Sequence, residues 1–327
     1  MSDASYLRGE HDLRKTAVAA IASGEVQQLA NGLVAVKIGL NAAASGDPTA
    51  WTTTGQHTIT KKASQVWIDG CELFWDHSAN EATCIPPLVT GDRDFSIGSA
   101  VGDAASADVT GVCNFNVKPD YIIDKNRDGG ETVIVKTVVG STTVEVPDLK
   151  NRGGTSVANF GTTAEAQKVD WISKRSFTLA SNWILEAVVE VVTTCDADVG
   201  DLSIGVANAT HASDADSITE SALFHFDLGA DLNIDAESDD GTTEVGATDT
   251  TIDFAEGTPV FLCLDGRDPS NVKYYINGVE VLSGTANLGN IAVATGPLKA
   301  LFHLEKSSND SPGVVELDML RVRTAEQ

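Results

Sequence analysis

The sequence predicts an all-β protein: a small β-rich domain followed by an antiparallel β-sandwich. Three observations lead there. Thr, Val, Gly, Ala and Asp are abundant while aromatic residues make up only 6% of the chain, a balance that favours strands and turns over a helical bundle. Apolar residues recur with a period of two in short runs, the mark of half-buried strands. Turn-forming pairs such as Asp69-Gly70, Gly140-Ser141 and Asn277-Gly278 punctuate those runs at short intervals. With 327 residues the chain is long enough for two domains of ordinary size. The expected division is 1–125, a linker or hairpin over 126–149, and a sandwich over 150–327.

The first fifteen residues form a polar arm. Thr16–Gly24 is Ala-rich and compatible with a short helix or a strand. Gly32–Leu40 alternates strictly and is a strand, and Trp51–Thr60 is Thr-rich and strand-like. Val66–Ile68 and Cys71–Asp76 read as two strands about a turn at Asp69-Gly70. A polar loop, His77–Thr83, and a Pro86-Pro87 break follow. Asp124–Glu131 has a linker's composition. Thr132–Val139 and Thr142–Val146 flank Gly140-Ser141 as a β-hairpin, either opening the second domain or standing as an independent stalk. Further strands are expected over Trp183–Val192, Leu202–Ala207, Ala222–Leu228, Leu232–Ala236, Pro259–Leu264, Val272–Leu282, Leu298–Leu304 and Val314–Val322. Their regular spacing means two packed sheets.

Glycines and small residues alternate with apolar ones through Val66-Trp67-Ile68-Asp69-Gly70-Cys71-Glu72-Leu73-Phe74-Trp75-Asp76, Phe95–Ala105 and Val109–Val117. Over roughly Tyr6 to Ile123 this order resembles the head-decoration (capsid cement) proteins of tailed phages. The resemblance implies a virion protein on the outer capsid surface, made in the host cytoplasm, that clamps capsomers and performs no chemistry. It implies the major capsid protein as partner, assembly as a homotrimer, and an N-terminal arm that adds a strand to a neighbour. Arg8, Arg14 and Lys15 form a cationic cluster on that arm, suited to an acidic shell surface; an ordinary frayed terminus is the plainer alternative. Trp67, Phe74 and Trp75 are the other candidates for capsid contact.

The second region is similar to the concanavalin-A-like (laminin-G-like) jelly roll. The residues that carry the likeness are Lys273-Tyr274-Tyr275-Ile276-Asn277-Gly278-Val279-Glu280-Val281, the closing Val315–Val322, and Glu186–Val191 followed by Ser203–Val206. Such a fold hosts lectins, glycanases and scaffolds alike, so activity has to be argued from residues. Glycosidases of this shape place Glu-x-Asp-x-x-Glu on one strand, where alternate positions share a face. The nearest match, Glu316-Leu317-Asp318-Met319-Leu320-Arg321, has Arg321 at the acid/base position, where a permanently charged guanidinium cannot exchange a proton. GxSxG, P-loop and metalloprotease patterns are absent, so no enzyme is expected.

Two binding chemistries remain. Asp196-Ala197-Asp198-Val199-Gly200-Asp201 gathers Asp196, Asp198 and Asp201 in one loop, the expected ligands if calcium is held; otherwise no cofactor is expected. Asp214-Ala215-Asp216 and Glu237–Gly241 are similar clusters, and solvated acidic loops are the plain alternative for all three. His225, between Phe224 and Phe226, reads as a satisfied strand residue rather than a ligand. Glycans are the other candidate ligand, with Trp183, Tyr274 and Tyr275 as the rings to stack on sugar. A carbohydrate-binding module is therefore the rival to decoration.

The net charge is −25, of which about −18 falls after residue 165. So acidic a chain repels nucleic acid and anionic membrane, leaving neither as an expected partner. Its five cysteines include no CxxC. Free buried thiols are the default, with one or two disulfides an open alternative. No export signal is read at the N-terminus, which fits release by host lysis.

Overall fold

The computed structural model describes residues 12–22, 24–38, 41–88, 94–128, 133–148, 155–195, 200–212, 214–229 and 232–324. The chain divides into two compact units, Met1–Pro119 and Asp120–Gln327.

Among the described residues, the first unit holds two antiparallel sheets. One runs β1 (Asp12–Thr16), β4 (Pro48–Thr52), β3 (Val34–Ile38), β2 (Val26–Gln28). The other runs β5 (Gln56–Thr60), β9 (Thr110–Phe115), β8 (Phe95–Ala100), β6 (Glu72–Asp76), β7 (Glu81–Thr83). Val26, Val34 and Val36 of the first sheet join Ile59, Leu73, Ile97, Cys113 and Phe115 of the second, together with Trp67, in one apolar cluster. Asn116, just past β9, sits at φ +59°, a left-handed conformation that Asn tolerates better than most residues. From there its side chain accepts from Val34 N at 2.9 Å and donates to Val34 O at 2.9 Å and Thr53 O at 2.6 Å. One amide thus ties strand β3, a turn and strand β9 together.

The hairpin expected about Asp69-Gly70 does not form. Trp67 pairs with Ala104, and β6 pairs with β7 and β8 instead. The cause is a reciprocal bond between two turns: Asp69 N donates to Asp103 Oδ1 and Gly102 N to Asp69 Oδ1, each at 2.7 Å. The segment before Gly70 is thereby held beside Ala104 rather than folded back on β6. The Ala-rich stretch after β1 is neither helix nor regular strand; Ile21 bridges Ala43 there.

The second unit is a β-sandwich. Its larger sheet runs β12 (Thr143–Asp148), β13 (Thr155–Phe160), β24 (Gly313–Thr324), β15 (Trp183–Thr193), β20 (Val260–Gly266), β21 (Lys273–Ile276), β22 (Val279–Val281), with β10 (Ile123–Asp124) also paired to β24. The facing sheet runs β11 (Ile134–Val139), β14 (Glu165–Ser173), β23 (Lys299–Asn309), β16 (Gly200–Ala207), β17 (Glu220–Asp227), β18 (Asn233–Asp240), β19 (Glu244–Asp253). Alternate residues of both sheets fill the space between them, including Leu185, Ala187, Leu262 and Leu264 from one side and Ile204, Phe224, Phe226 and Phe302 from the other. The turn expected at Asn277-Gly278 is present, with φ +49° and +78° at its two residues, the left-handed pair a type I′ turn requires.

Two expectations about residues 120–149 are corrected. Strands β11 and β12 do not pair as a hairpin: β11 pairs with β14 in one sheet and β12 with β13 in the other. The segment between them is a crossover at the sandwich edge. The boundary between units also falls earlier than 125. Tyr121 and Ile123 are buried, and Ile123 joins the sandwich core. Lys125 Nζ donates to Leu317 O at 2.8 Å and Asn126 Nδ2 to Asp318 O at 2.8 Å.

Candidate functional site

In the first unit, Arg14 and Lys15 lie exposed on β1, which pairs with β4 and stands at the end of its sheet. Lys15 Nζ sits 6.0 Å from the centre of the Trp51 ring. Arg8 lies outside the described residues. Trp67, Phe74 and Trp75, expected as contact residues, are all buried within the first unit, at 0%, 7% and 7% exposure. Trp67 lies flat against Gly111, where an added Cβ would come within 2.3 Å of the ring. Its bulk is absorbed by a strand glycine and is not offered to a partner.

In the second unit the three rings expected to stack on sugar are also buried. Trp183 is 0% exposed and packs over Gly266, and its ring lies 5.7 Å from that of Phe177. Tyr274 points into the sandwich, edge-on to Phe224 at 5.3 Å, with its hydroxyl donating to the Glu237 carbonyl at 2.6 Å. Tyr275 takes the opposite face and is 4% exposed. None offers a ring to a ligand.

The residues matched to a glycosidase motif are engaged elsewhere. Arg321 Nε donates to the buried Glu186 Oε2 at 2.7 Å, and its guanidinium lies 4.5 Å from the Tyr121 ring centre. Asp318 accepts a short hydrogen bond from the Thr155 hydroxyl. A register shift in the pairing of β15 with β24 follows: Val315 and Leu317 face the core on one side of it, Leu320 and Val322 on the other. That bulge breaks the alternation a paired-carboxylate strand needs.

Polar chemistry gathers instead on the outer face of the seven-stranded sheet. Phe224, Phe226, Ile234 and Ala236 take the core side, so His225, Asp235 and Glu237 take the other. Register then lines up Asp170, His303, Ser203, His225, Asp235 and Asp249 as one rung across β14, β23, β16, β17, β18 and β19. The adjacent rung is Ile172, Leu301, Gly205, Leu223 and Glu237. Its apolar members are covered by Ala215 and Ile218 from the segment joining β16 to β17. Glu237 ends that rung and is buried with it, at 4% exposure.

Within the polar rung, His303 Nδ1 meets Asp170 Oδ1 at 2.6 Å and its Nε2 meets Glu305 Oε2 at 3.1 Å, while Lys168 Nζ lies 2.8 Å from Asp170 Oδ2. Burial opposes the charged imidazole, but the Asp170 and Glu305 carboxylates outweigh it and His303 is held above its usual value. His225 has the same construction. Its Nδ1 is 3.3 Å from Ser203 Oγ and 3.5 Å from Asp216 Oδ1, and its Nε2 is 3.5 Å from Asp201 Oδ1. Burial again opposes charge, and Asp201, Asp216 and Glu237 raise it to about 9. Desolvation, reinforced by the neighbouring Asp216, pushes the Glu237 carboxyl up to about 9 as well. One ligand atom from each of Asp216, His225 and Glu237 lies within 4.8 Å of the others. Among the described residues this is the group arranged to hold a metal ion.

The loop expected to hold calcium is met only in part. Asp196 and Asp198 lie outside the described residues, and Asp201, on β16, turns its carboxylate to His225. The sequence had flagged Asp214–Asp216 and Glu237–Gly241 as separate acidic loops and His225 as a strand residue. What it lacked was register, which sets β17 beside β18 and folds the 214–218 turn over both. All five cysteines are buried, and none is in a disulfide. Among the described residues, no helix is long and apolar enough to cross a membrane.

Comparison with known proteins falls into the same two parts. Residues 8–115 match the family described as phage cement protein. Residues 151–318 match the SO2946-like C-terminal domain. No curated protein matches the chain. Among solved structures, the Emp47p carbohydrate recognition domain is 12% identical, with 58% of this chain and 89% of that one covered and a TM-score of 0.40. The protein of unknown function SO2946 from Shewanella oneidensis MR-1 is 11% identical, with 64% and 87% covered and a TM-score of 0.40. The carbohydrate esterase vb_24B_21 from the Shiga toxin-encoding bacteriophage phi24B is 10% identical, with 58% and 90% covered and a TM-score of 0.38. The SO2946-like match takes in just over half of the residues and the cement match nearly all of the first unit, so the chain belongs to the SO2946-like C-terminal domain family, and the part ahead of it is similar to phage cement proteins.

Proposed function

We propose that this protein decorates and stabilises the outer surface of a tailed-phage capsid, with the major capsid protein as its partner and a homotrimer as its working form. The observation that carries this reading is the cement-family match, which spans the first unit almost end to end. Strand β1, at the end of its sheet among the described residues, supports it. An end strand presents unpaired backbone groups, and adding a strand from a neighbouring chain is a common way to satisfy them. Arg14 and Lys15 on that strand suit an acidic shell surface. The action is mechanical: each copy covers seams between capsomers, and many linked contacts together resist internal pressure. The acidic sandwich is carried on the particle's exterior, where like charge keeps particles apart.

The test is to mix purified protein with undecorated phage shells and image them. Ordered density on the outer lattice, lost when residues 1–15 are removed or when Arg14 and Lys15 are both changed to Glu, is the expected result. A protein that leaves the shells bare at saturating concentration refutes the reading.

A further inference from the structure

We propose that Asp216, His225 and Glu237 form a binding site for one divalent first-row transition ion, Zn²⁺ or Mn²⁺, that pins the 214–218 turn to the outer face of the sandwich. The site is independent of the capsid reading and does not rest on it.

The three donors come from three places: Asp216 from the turn joining β16 to β17, His225 from β17 and Glu237 from β18. Their ligand atoms lie within 4.8 Å of one another. Atoms sharing a zinc at about 2.0–2.2 Å stand about 3.3–3.6 Å apart on a tetrahedron, and His225 Nδ1 is 3.5 Å from Asp216 Oδ1.

Two further observations point to a ligand. Glu237 is 4% exposed, and its Oε1 has no N–H or hydroxyl donor in reach; the group its carboxyl meets is another carboxyl, that of Asp216. Two carboxyls brought together away from water cannot both ionise unless a cation joins them. The second is the far side of His225. Its Nε2 faces Asp201 Oδ1 at 3.5 Å, the arrangement in which a metal-bound imidazole donates its other N–H to a carboxylate and has its ring orientation fixed. Ser203 Oγ, 3.3 Å from Nδ1, borders the same space.

The donor set selects the ion. Calcium takes six to eight oxygens and has little use for an imidazole. One imidazole with two carboxylates suits Zn²⁺ or Mn²⁺, and the two negative charges match the ion's own. Asp216 is exposed while Glu237 is buried, so the open side of the ion faces solvent and leaves room for water. The carboxylates that act on His225 and Glu237 include Asp201 and Asp214 beside the group's own members; the nearby Lys168 ammonium is taken up by the His211 carbonyl at 2.6 Å and by Asp170, and His211 Nδ1 accepts from Asp214 N.

The experiment uses the full chain without a polyhistidine tag, stripped with chelator and titrated calorimetrically with Zn²⁺, Mn²⁺ and Ca²⁺ in turn. The expected result is a saturable site for Zn²⁺ or Mn²⁺ that Ca²⁺ does not fill, with a rise in melting temperature on loading. Asp216→Asn and His225→Gln each remove that equivalent, and Asp201→Asn, which acts through His225, weakens it by about tenfold or more. Asp216 is exposed, so Asp216→Asn leaves the fold intact by circular dichroism and keeps the test decisive if His225→Gln misfolds. Absence of saturable binding by either transition ion overturns the proposal. So does filling of the site by Ca²⁺ as readily, or affinity unchanged in Asp216→Asn.

Discussion

Asn116 is a single side chain on which the first unit's two sheets depend. It holds φ +59° and makes three hydrogen bonds to the backbone of Val34 and Thr53. Asn116→Ala removes all three and leaves a β-carbon in a left-handed conformation without a compensating bond. The expected cost is about 2–4 kcal/mol, read as a lower urea midpoint for the first unit. His303 gives a prediction with a sign. Its folded value is raised above 6.5 because the Asp170 and Glu305 carboxylates outweigh burial. The protonated ring therefore stabilises the fold fully below about pH 6.5, and that contribution is lost as pH climbs through the raised value. Urea denaturation of the wild type and His303→Gln at about pH 6 and about pH 9 checks it. The wild type's advantage shrinks at the higher pH; an advantage that grows contradicts the assignment. Cys113 behaves oppositely: burial, with Cys71 beside it, pushes its thiol up to about 12, so little reactive thiolate is present at neutral pH.

Each unit seats a fully buried tryptophan on a strand glycine: Trp67 on Gly111 of β9, Trp183 on Gly266 of β20. An alanine β-carbon at 266 would lie 2.0 Å from the Trp183 ring, and that ring, fully buried at the head of β15, has no room to retreat. Gly266→Ala is expected to cost about 1–3 kcal/mol or more by overpacking, seen as a lower melting temperature for the second unit. Gly246→Ala, whose added carbon meets nothing within 4 Å, is the control and leaves it nearly unchanged. This pairing also explains what was legible in the sequence and what was not. Strand positions followed from alternation, because Phe224-His225-Phe226 leaves one face for the core. The turn at Asn277-Gly278 was legible because both residues suit the left-handed conformation it needs. Whether an aromatic faces solvent was not legible: Trp67, Phe74, Trp75, Trp183, Tyr274 and Tyr275 all stand in strand-like runs, and only the partner strand decides what covers them. Pairing between distant strands was equally hidden. Gly140-Ser141 carries a hairpin's local signal, but β11 and β12 each find a partner in a different sheet. The Asp216–His225–Glu237 group was seen as three unrelated fragments for the same reason.

At the scale of the whole chain, the division between Pro119 and Asp120 makes a prediction that local composition would have placed elsewhere. Asp124–Glu131 looks like a linker because it is polar and glycine-bearing, yet the chain just before and within it is part of the sandwich. Ile123 is fully buried and pairs with Val322, and Asp124 pairs with Arg321. The Lys125 ammonium is buried against Leu317 O, and desolvation lowers it to about 8; a charge is taken out of water there only because the carbonyl and the nearby Asp318 and Asp124 receive it. Two fragments separate the alternatives. One of residues 120–327 keeps β10 and the Lys125 anchor, and is expected to melt cooperatively close to the second unit's transition in the full protein. One of residues 129–327 loses a buried isoleucine, the ring of Tyr121 against Arg321, and two hydrogen bonds to β24. It is expected to be less stable by about 3 kcal/mol or more. Equal midpoints for the two fragments in urea would mean that residues 120–128 are a tether after all. A marked drop only for the shorter one means that the last strand of the sandwich, β24, is completed by the residues that immediately follow the first unit.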